Sequence, residues 1–221
     1  MAARASPEAE AINMHAVEVF SDVICPWCFI GKRRLEKAIA AHDRQSDVRV
    51  TWQPFQLNPR IPIEGISRRE YRTRKFGSWE RSQELDAKVA AVGESEGIHF
   101  AFDRIERTPN TLDAHRLIWL ADKEGVQDSV VRALFLAYFT NGRDISNRQT
   151  LIDVVADAGL DRRRAECSLN GDEGMGAIVE ADERARRLGV AGVPFFIVNG
   201  KVALAGAQPS EAFLEGVWLV E

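Results

Sequence analysis

The stretch Val17-Glu18-Val19-Phe20-Ser21-Asp22-Val23-Ile24-Cys25-Pro26-Trp27-Cys28-Phe29-Ile30-Gly31-Lys32-Arg33-Arg34-Leu35 decides the fold. It runs from a short apolar strand, Val17 to Phe20, through the turn-prone Ser21-Asp22 into a Cys-x-x-Cys that opens a helix. The helix is predicted from Leu35, Ala38 and Ile39 on one side of Phe29 to Ala41, with Lys32, Arg33, Arg34, Glu36 and Lys37 around them. Cys25 falls at the N-cap, where a side chain accepts from the first free N–H groups, and Pro26 at the next position loses no hydrogen bond. The positive end of the helix dipole, with Lys32, Arg33 and Arg34 in the next two turns, is expected to favour a thiolate at Cys25. Cys28 lies one turn on, within the roughly 4.4–6.8 Å between Cα atoms that a disulfide requires. Cys25 therefore reads as the attacking thiol and Cys28 as the resolving one. Trp27, between them, carries no useful proton and reads as packing beside the sulfurs.

Two other uses of a cysteine pair are a half metal site and a chance occurrence. A structural zinc site needs four ligands, and the chain offers only Cys167 besides this pair, with His15, His42, His99 and His115 far apart in sequence. No metal is expected. Near the end of the chain, Gly192-Val193-Pro194-Phe195-Phe196-Ile197-Val198 reads as a strand opened by proline, and Asn199-Gly200 turns it into a second strand, Lys201 to Ala205.

A Val193-Pro194 step ahead of such a hairpin, in a chain with a Cys-x-x-Cys helix start, resembles the cis-proline loop of thioredoxin-fold proteins. Four stretches carry a closer resemblance: Phe20 to Leu35, Trp52-Gln-Pro-Phe-Gln-Leu-Asn-Pro59, Pro109-Asn-Thr-Leu-Asp-Ala-His-Arg116, and Gly192 to Phe196 with Gly206-Ala-Gln-Pro209. Together they are similar to the FrnE-like branch of the DsbA family of thioredoxin-fold oxidoreductases, from about residue 16 onward. The resemblance implies an α/β thioredoxin fold with a large all-helical insertion. Residues 16–60 and 173–221 would form the thioredoxin-like domain and 61–172 the insertion, while the sequence itself reads 1–15 either as a disordered tail or as a segment ahead of a natural start at Met14. The resemblance also implies that Pro194 faces the dithiol, and that the backbone of Val193 pairs with an extended peptide or with glutathione. Related 2-hydroxychromene-2-carboxylate isomerases and kappa-class glutathione transferases commonly carry serine at the nucleophile position. Cys25 here favours the redox branch. Some FrnE-like members have a second cysteine pair, whereas this chain has the lone Cys167, read as a packed residue in the run Ala165 to Leu169. Strongly oxidising relatives have histidine where Trp27 stands, which implies a milder oxidant here.

The resemblance places further residues near the site. Asn110, Thr111 and His115 begin a helix whose family counterpart faces the thiols. Asn110 reads equally as a helix cap, and His115 as a proton carrier near Cys25 or a half-buried helix residue. Gln208 corresponds to the stretch that holds the γ-glutamyl end of glutathione in the isomerase and transferase branches.

Composition fits this reading. The 221 residues carry a net charge of −4 and are 45% hydrophobic, ample for a core and without the basic excess of a nucleic-acid binder. Arg162-Arg163-Arg164 and Arg184, Arg186 and Arg187 alternate with acids as solvated helix faces do. The first fifteen residues lack the apolar core of a secretory signal and no run is long enough for a membrane span, so a cytoplasmic protein is expected. Amphipathic runs predict helices over Ser67–Phe76, Glu80–Glu96, Thr111–Glu124, Gln127–Thr140, Arg148–Ala158 and Glu173–Leu188, with a last helix from Ser210 to about Leu219. Gly171-x-x-Gly174-x-Gly176 follows no strand and fails the context of a nucleotide loop.

The function expected is thiol–disulfide exchange on disulfide-containing proteins or small thiols, with no required cofactor and glutathione as a candidate co-substrate. The alternatives are a glutathione-dependent isomerase or transferase acting on a small aromatic substrate, and a chaperone-like peptide binder. Neither the oligomeric state nor the direction of net electron flow is assigned by the sequence.

Overall fold

The computed structural model describes residues 14–42 and 47–218. The expected tail and the last residues of the terminal helix lie outside the described residues. Strand β1 (His15–Ser21) leads into helix α1 (Pro26–Ala40) and then strand β2 (Val48–Pro54), which lies parallel to β1 with Val17 opposite Val50 and Val19 opposite Trp52. Val17, Val19 and Phe20 are all buried, as an inner strand covered on both faces requires.

The chain then leaves the sheet for helices. A two-residue strand pair, β3 (Ile66–Ser67) with β4 (Arg107–Thr108), brackets α2 (Arg68–Phe76) and α3 (Trp79–Ser95). Next come α4 (Leu112–Lys123), α5 (Gln127–Phe135), α6 (Arg148–Asp157), α7 (Arg162–Asn170) and α8 (Met175–Arg187). Side chains of Ser67, Ser78, Asn147 and Asp161 accept from the third residue onward and start α2, α3, α6 and α7. Gly125 and Gly159 follow α4 and α6 at φ of 74° and 102°, a region closed to most side chains.

The run expected as one helix from Gln127 to Thr140 divides. After Phe135 the helix widens into a π turn over Leu136–Thr140, closed by Asn141 N donating to Leu136 O at 3.0 Å. Neighbouring backbone takes up the displaced carbonyls: Phe139 O accepts from Ala101 N and Ala137 O from Arg143 N, each at 2.8 Å. The helix expected from Glu173 begins instead at Met175. Buried Arg116 explains the delay, because its guanidinium donates to Glu173 O at 2.9 Å, to Gly171 O at 2.7 Å and to Ser168 O, holding these carbonyls outside the helix. The Gly171-Gly174 stretch thus wraps an arginine of α4.

The chain returns as a hairpin, β5 (Phe195–Val198) and β6 (Val202–Ala205), turned at Asn199 and Gly200 with φ of 51° and 66°, and ends in α9 (Ser210–Trp218), which packs on α1. β5 is antiparallel to β1, giving the sheet order β2-β1-β5-β6. One apolar cluster extends from β1 and α1 into α4, α5 and α6. Edge strand β2 is closed by a side chain: Gln127 Oε1 accepts from Trp52 N at 2.9 Å and Gln127 Nε2 donates to Trp52 O at 3.0 Å.

Candidate active site

Cys25 is the N-cap of α1, in extended conformation, with its N–H donating to Asp22 O at 2.9 Å. The expected cap is not made by the sulfur. No side-chain cap bond forms, and Cys25 Sγ instead donates to the carbonyl of Val193 at 3.4 Å. The Val193–Pro194 peptide bond is cis. Gly31, on the next turn of α1, lets Pro194 approach: a Cβ there would stand 3.0 Å from Pro194 Cγ and 3.1 Å from the Phe196 ring. The Val193 carbonyl, expected to be open to an incoming chain, is thus occupied by the thiol in this state.

The two sulfurs are unequal. Cys25 keeps 6% of its surface exposed and lines a cavity; Cys28 keeps none. Burial pushes the Cys28 thiol well above the usual thiol range, and the hydrogen bond and charge of Cys25 add to this, while hydrogen bonds from Ser21 and the Asp22 backbone pull the other way. One thiol therefore opens onto the cavity, and the other is held protonated behind it.

The cations expected to support a Cys25 thiolate are engaged elsewhere. Lys32 is buried, paired with Asp128 and Glu36 and 5.0 Å from the centre of the Trp52 ring. Arg33 pairs with Glu36 at 3.0 Å and Arg34 with Glu96 at 2.7 Å. A hydrophilic pattern on a helix does not distinguish a solvated lysine from one folded into the core against a partner helix.

Of the other residues expected at the site, Pro26 and Trp27 line the cavity with Cys25, and Trp27 is 41% exposed. Val193 and Pro194 flank the thiol outside that lining. Asn110, Thr111 and His115 do not reach the cavity. Asn110 accepts from Leu112 N at 2.9 Å and donates to Ile61 O at 2.6 Å, and with Thr111 it receives Gln56 Nε2. Thr111, not Asn110, is the N-cap of α4, without a side-chain cap bond. His115 is buried rather than half-buried, and its Nε2 lies 3.6 Å from Asp22 Oδ1 with no hydrogen-bond partner. Gln208 folds back to donate to Ala205 O at 2.7 Å. Cys167, expected to be packed, is exposed, because Ala165, Ser168 and Leu169 occupy the buried side of α7.

Asp22 and Ser21 are buried beside the thiols and hydrogen-bond Cys28, a placement that the turn reading missed. Asp22 is fully buried, accepting from Leu57 N at 2.8 Å through Oδ2, so it ties the dithiol loop to the segment after β2. The available signal was Asp22 between Phe20 and Val23, past the in–out alternation that leaves Glu18 half-exposed; an acid in such a place needs a buried partner. A groove between the helical insertion and the thioredoxin core belongs to the peptide-binder reading, but its lining was not named from sequence; the structure has a cavity of about 370 Å³ there, between the dithiol loop and the helical region. Tyr138 and Phe139 of the π turn form part of its wall. Burial pushes the Tyr138 hydroxyl well up, and it donates to Arg107 O at 3.1 Å. Among the described residues no group of three or more His, Cys, Asp or Glu side chains is arranged to hold a metal.

A family model for the DSBA-like thioredoxin domain matches residues 16–217. The chain belongs to the DSBA-like thioredoxin family. A solved structure described as a probable DsbA oxidoreductase from Streptomyces coelicolor is 30% identical, covers 94% of this chain and 91% of its own, and superposes with a TM-score of 0.86. The uncharacterised protein YwbO of Bacillus subtilis is 25% identical over 205 residues, 91% of this chain and 94% of its own length. The cytosolic disulfide reductase DsbM of Pseudomonas aeruginosa shares the fold at 20% identity, with a TM-score of 0.65 over 90% of this chain and 97% of its own. The DsbA-like chain has no helix, among the described residues, long and apolar enough to cross a membrane.

Proposed function

We propose that this chain is a thiol–disulfide oxidoreductase of the FrnE-like branch, working through Cys25 and Cys28. The observation that carries the reading is the asymmetry of the pair: Cys25 opens onto a cavity at a helix N-terminus while Cys28 is sealed behind it with a raised pKa. The Cys25 thiolate attacks one sulfur of a substrate disulfide, and the other sulfur leaves as a thiolate. The Val193 carbonyl, released from the Cys25 thiol, faces the mixed disulfide. Cys28 then loses its proton and attacks Cys25 Sγ, which frees the second substrate thiolate and leaves a Cys25–Cys28 bridge. The oxidised protein runs the same steps in reverse. Substrates are proteins or small thiols, and glutathione is a fitting co-substrate: DsbM has been solved with it. A reducing cytosol is the compartment in which such a pair would cycle rather than remain a structural bridge.

The decisive experiment equilibrates the protein across glutathione redox buffers while Trp fluorescence and free thiols are followed. A reversible two-electron transition with an internal disulfide is expected, and its midpoint should be more reducing than the roughly −120 mV of strongly oxidising DsbA, since Trp27 replaces the histidine of such relatives. Cys25→Ser should abolish exchange and Cys28→Ala should accumulate mixed disulfides. One glutathione per chain without a Cys25–Cys28 bridge would move the assignment to a glutathione-dependent isomerase or transferase.

A further inference from the structure

The cavity beside Cys25 has an unbalanced lining. Four cations, Arg68, Arg72, Lys75 and Lys88, face it with a single carboxylate, Asp86. That carboxylate is fully used: Arg68 Nη2 donates to one of its oxygens at 2.6 Å and Arg72 Nη2 to the other at 2.5 Å. The crowding shows at Arg72, whose basicity is lowered by burial and by the neighbouring Arg68 in spite of Asp86. Lys75 bonds the Tyr71 hydroxyl at 3.0 Å and lies over the Tyr71 and Phe76 rings, and neither Lys75 nor Lys88 makes an ion pair among the described residues. Both lysines are exposed and so stand at the rim. The apolar part of the lining carries four rings, Phe76, Phe102, Tyr138 and Phe139, with Leu85, Val89 and Ile105 beside them. An excess of three positive charges over an apolar, ring-lined floor is complementary to a flat apolar group that carries an anion. Val193 and Pro194 do not line this cavity; it meets the backbone edge at which glutathione or a peptide would pair only at Cys25, which lines the one and bonds the Val193 carbonyl of the other.

We propose, resting on the dithiol chemistry above, that this cavity is the subsite for one arm of a small organic disulfide, and that the arm is an aromatic carboxylate held at Lys75 and Lys88. The Cys25 thiolate attacks one sulfur of that disulfide, the S–S bond breaks, and one aryl thiolate leaves. Cys28 gives its proton to solvent, attacks Cys25 Sγ, and releases the second aryl thiolate. Two electrons pass from the dithiol to the substrate, which becomes two thiols.

The test compares 5,5′-dithiobis(2-nitrobenzoate), an aromatic carboxylate disulfide, with 4,4′-dithiodipyridine, a flat aromatic disulfide without the carboxylate. Reduced protein carrying Cys167→Ser, which removes the exposed third thiol, is mixed with one equivalent of each reagent in a stopped-flow instrument at fixed ionic strength. Lys75→Gln with Lys88→Gln should slow the first thiol release from the nitrobenzoate reagent by about tenfold and leave the pyridine reagent within about twofold. Lys123→Gln, which lies over Trp119 away from the cavity, should slow neither. An equal loss with both reagents, or no loss with either, would overturn the subsite. The dithiol reading fails separately, if one equivalent of dithiodipyridine releases one thiol per chain and stops; the carboxylate preference is read from the first release alone.

Discussion

Cys28 shows how a single buried thiol couples chemistry to stability. Its pKa is raised in the folded, reduced protein, chiefly by burial, above the roughly 8.5 of an exposed thiol in the unfolded chain. Below that unfolded value both states hold the proton and the contribution is fully present. As pH rises past it the unfolded chain ionises first, so stability drains at up to about 1.4 kcal/mol per pH unit until the folded pKa is reached. Urea unfolding of the reduced protein between pH 8 and pH 10 should therefore show a steeper loss than Cys28→Ala under the same conditions; parallel slopes would remove Cys28 as the source. Gly31 makes a second point at this scale. Its missing side chain is what lets α1 meet Pro194, so Gly31→Val should cost about 1–3 kcal/mol and slow exchange, both measurable on one preparation. The dithiol and the tryptophan between the sulfurs were legible in the sequence because they form one local pattern, while the placing of Pro194 against them came from the family resemblance. The roles of Asp22 and Ser21 were not legible, since both depend on what folds over them.

Among the elements, α1 was readable in outline and misleading in its charges. Lys32 belongs to a polar pattern by sequence, yet it is buried against β2 and α5, where Trp52 Nε1 also donates to Asp128 at 2.9 Å. Removing the partner leaves the ammonium inside with only Glu36. Asp128→Ala is expected to cost about 1–2 kcal/mol, less than the roughly 3–5 kcal/mol of a wholly buried pair because Asp128 is itself 57% exposed. Lys32→Met should be close to neutral by chemical denaturation, and a large loss in that variant would mean that the cation is worth more than the hydrocarbon stem that replaces it. The π turn after α5 escaped a periodic reading for a related reason. Apolar spacing over Gln127–Thr140 suits a continuous helix, and the widening is set by the backbone of Ala101 and Arg143 pairing with carbonyls it frees.

At the scale of the molecule, the helical region and the sheet share one core, and Gln127 of α5 completes the hydrogen bonding of β2. A variant with residues 61–172 replaced by a short linker should therefore fail to give a folded thioredoxin-like unit, and the intact protein should unfold in one transition by both far-ultraviolet and tryptophan signals. Two separated transitions would show that the parts stand alone. The sequence displayed the two thioredoxin-like ends through their hairpin and strand–helix signals, whereas the cavity between the dithiol loop and the helical region takes its lining only when distant segments such as Trp27, Tyr71 and Tyr138 converge. Cys167, pointing outward from α7, has a practical side. Once the dithiol is bridged it remains the only sulfhydryl, so a maleimide dye or spin label can be attached one per chain without touching the chemistry. Left in air, that same sulfur would join two chains covalently, and a band of doubled mass on a non-reducing gel would then report handling rather than a native dimer.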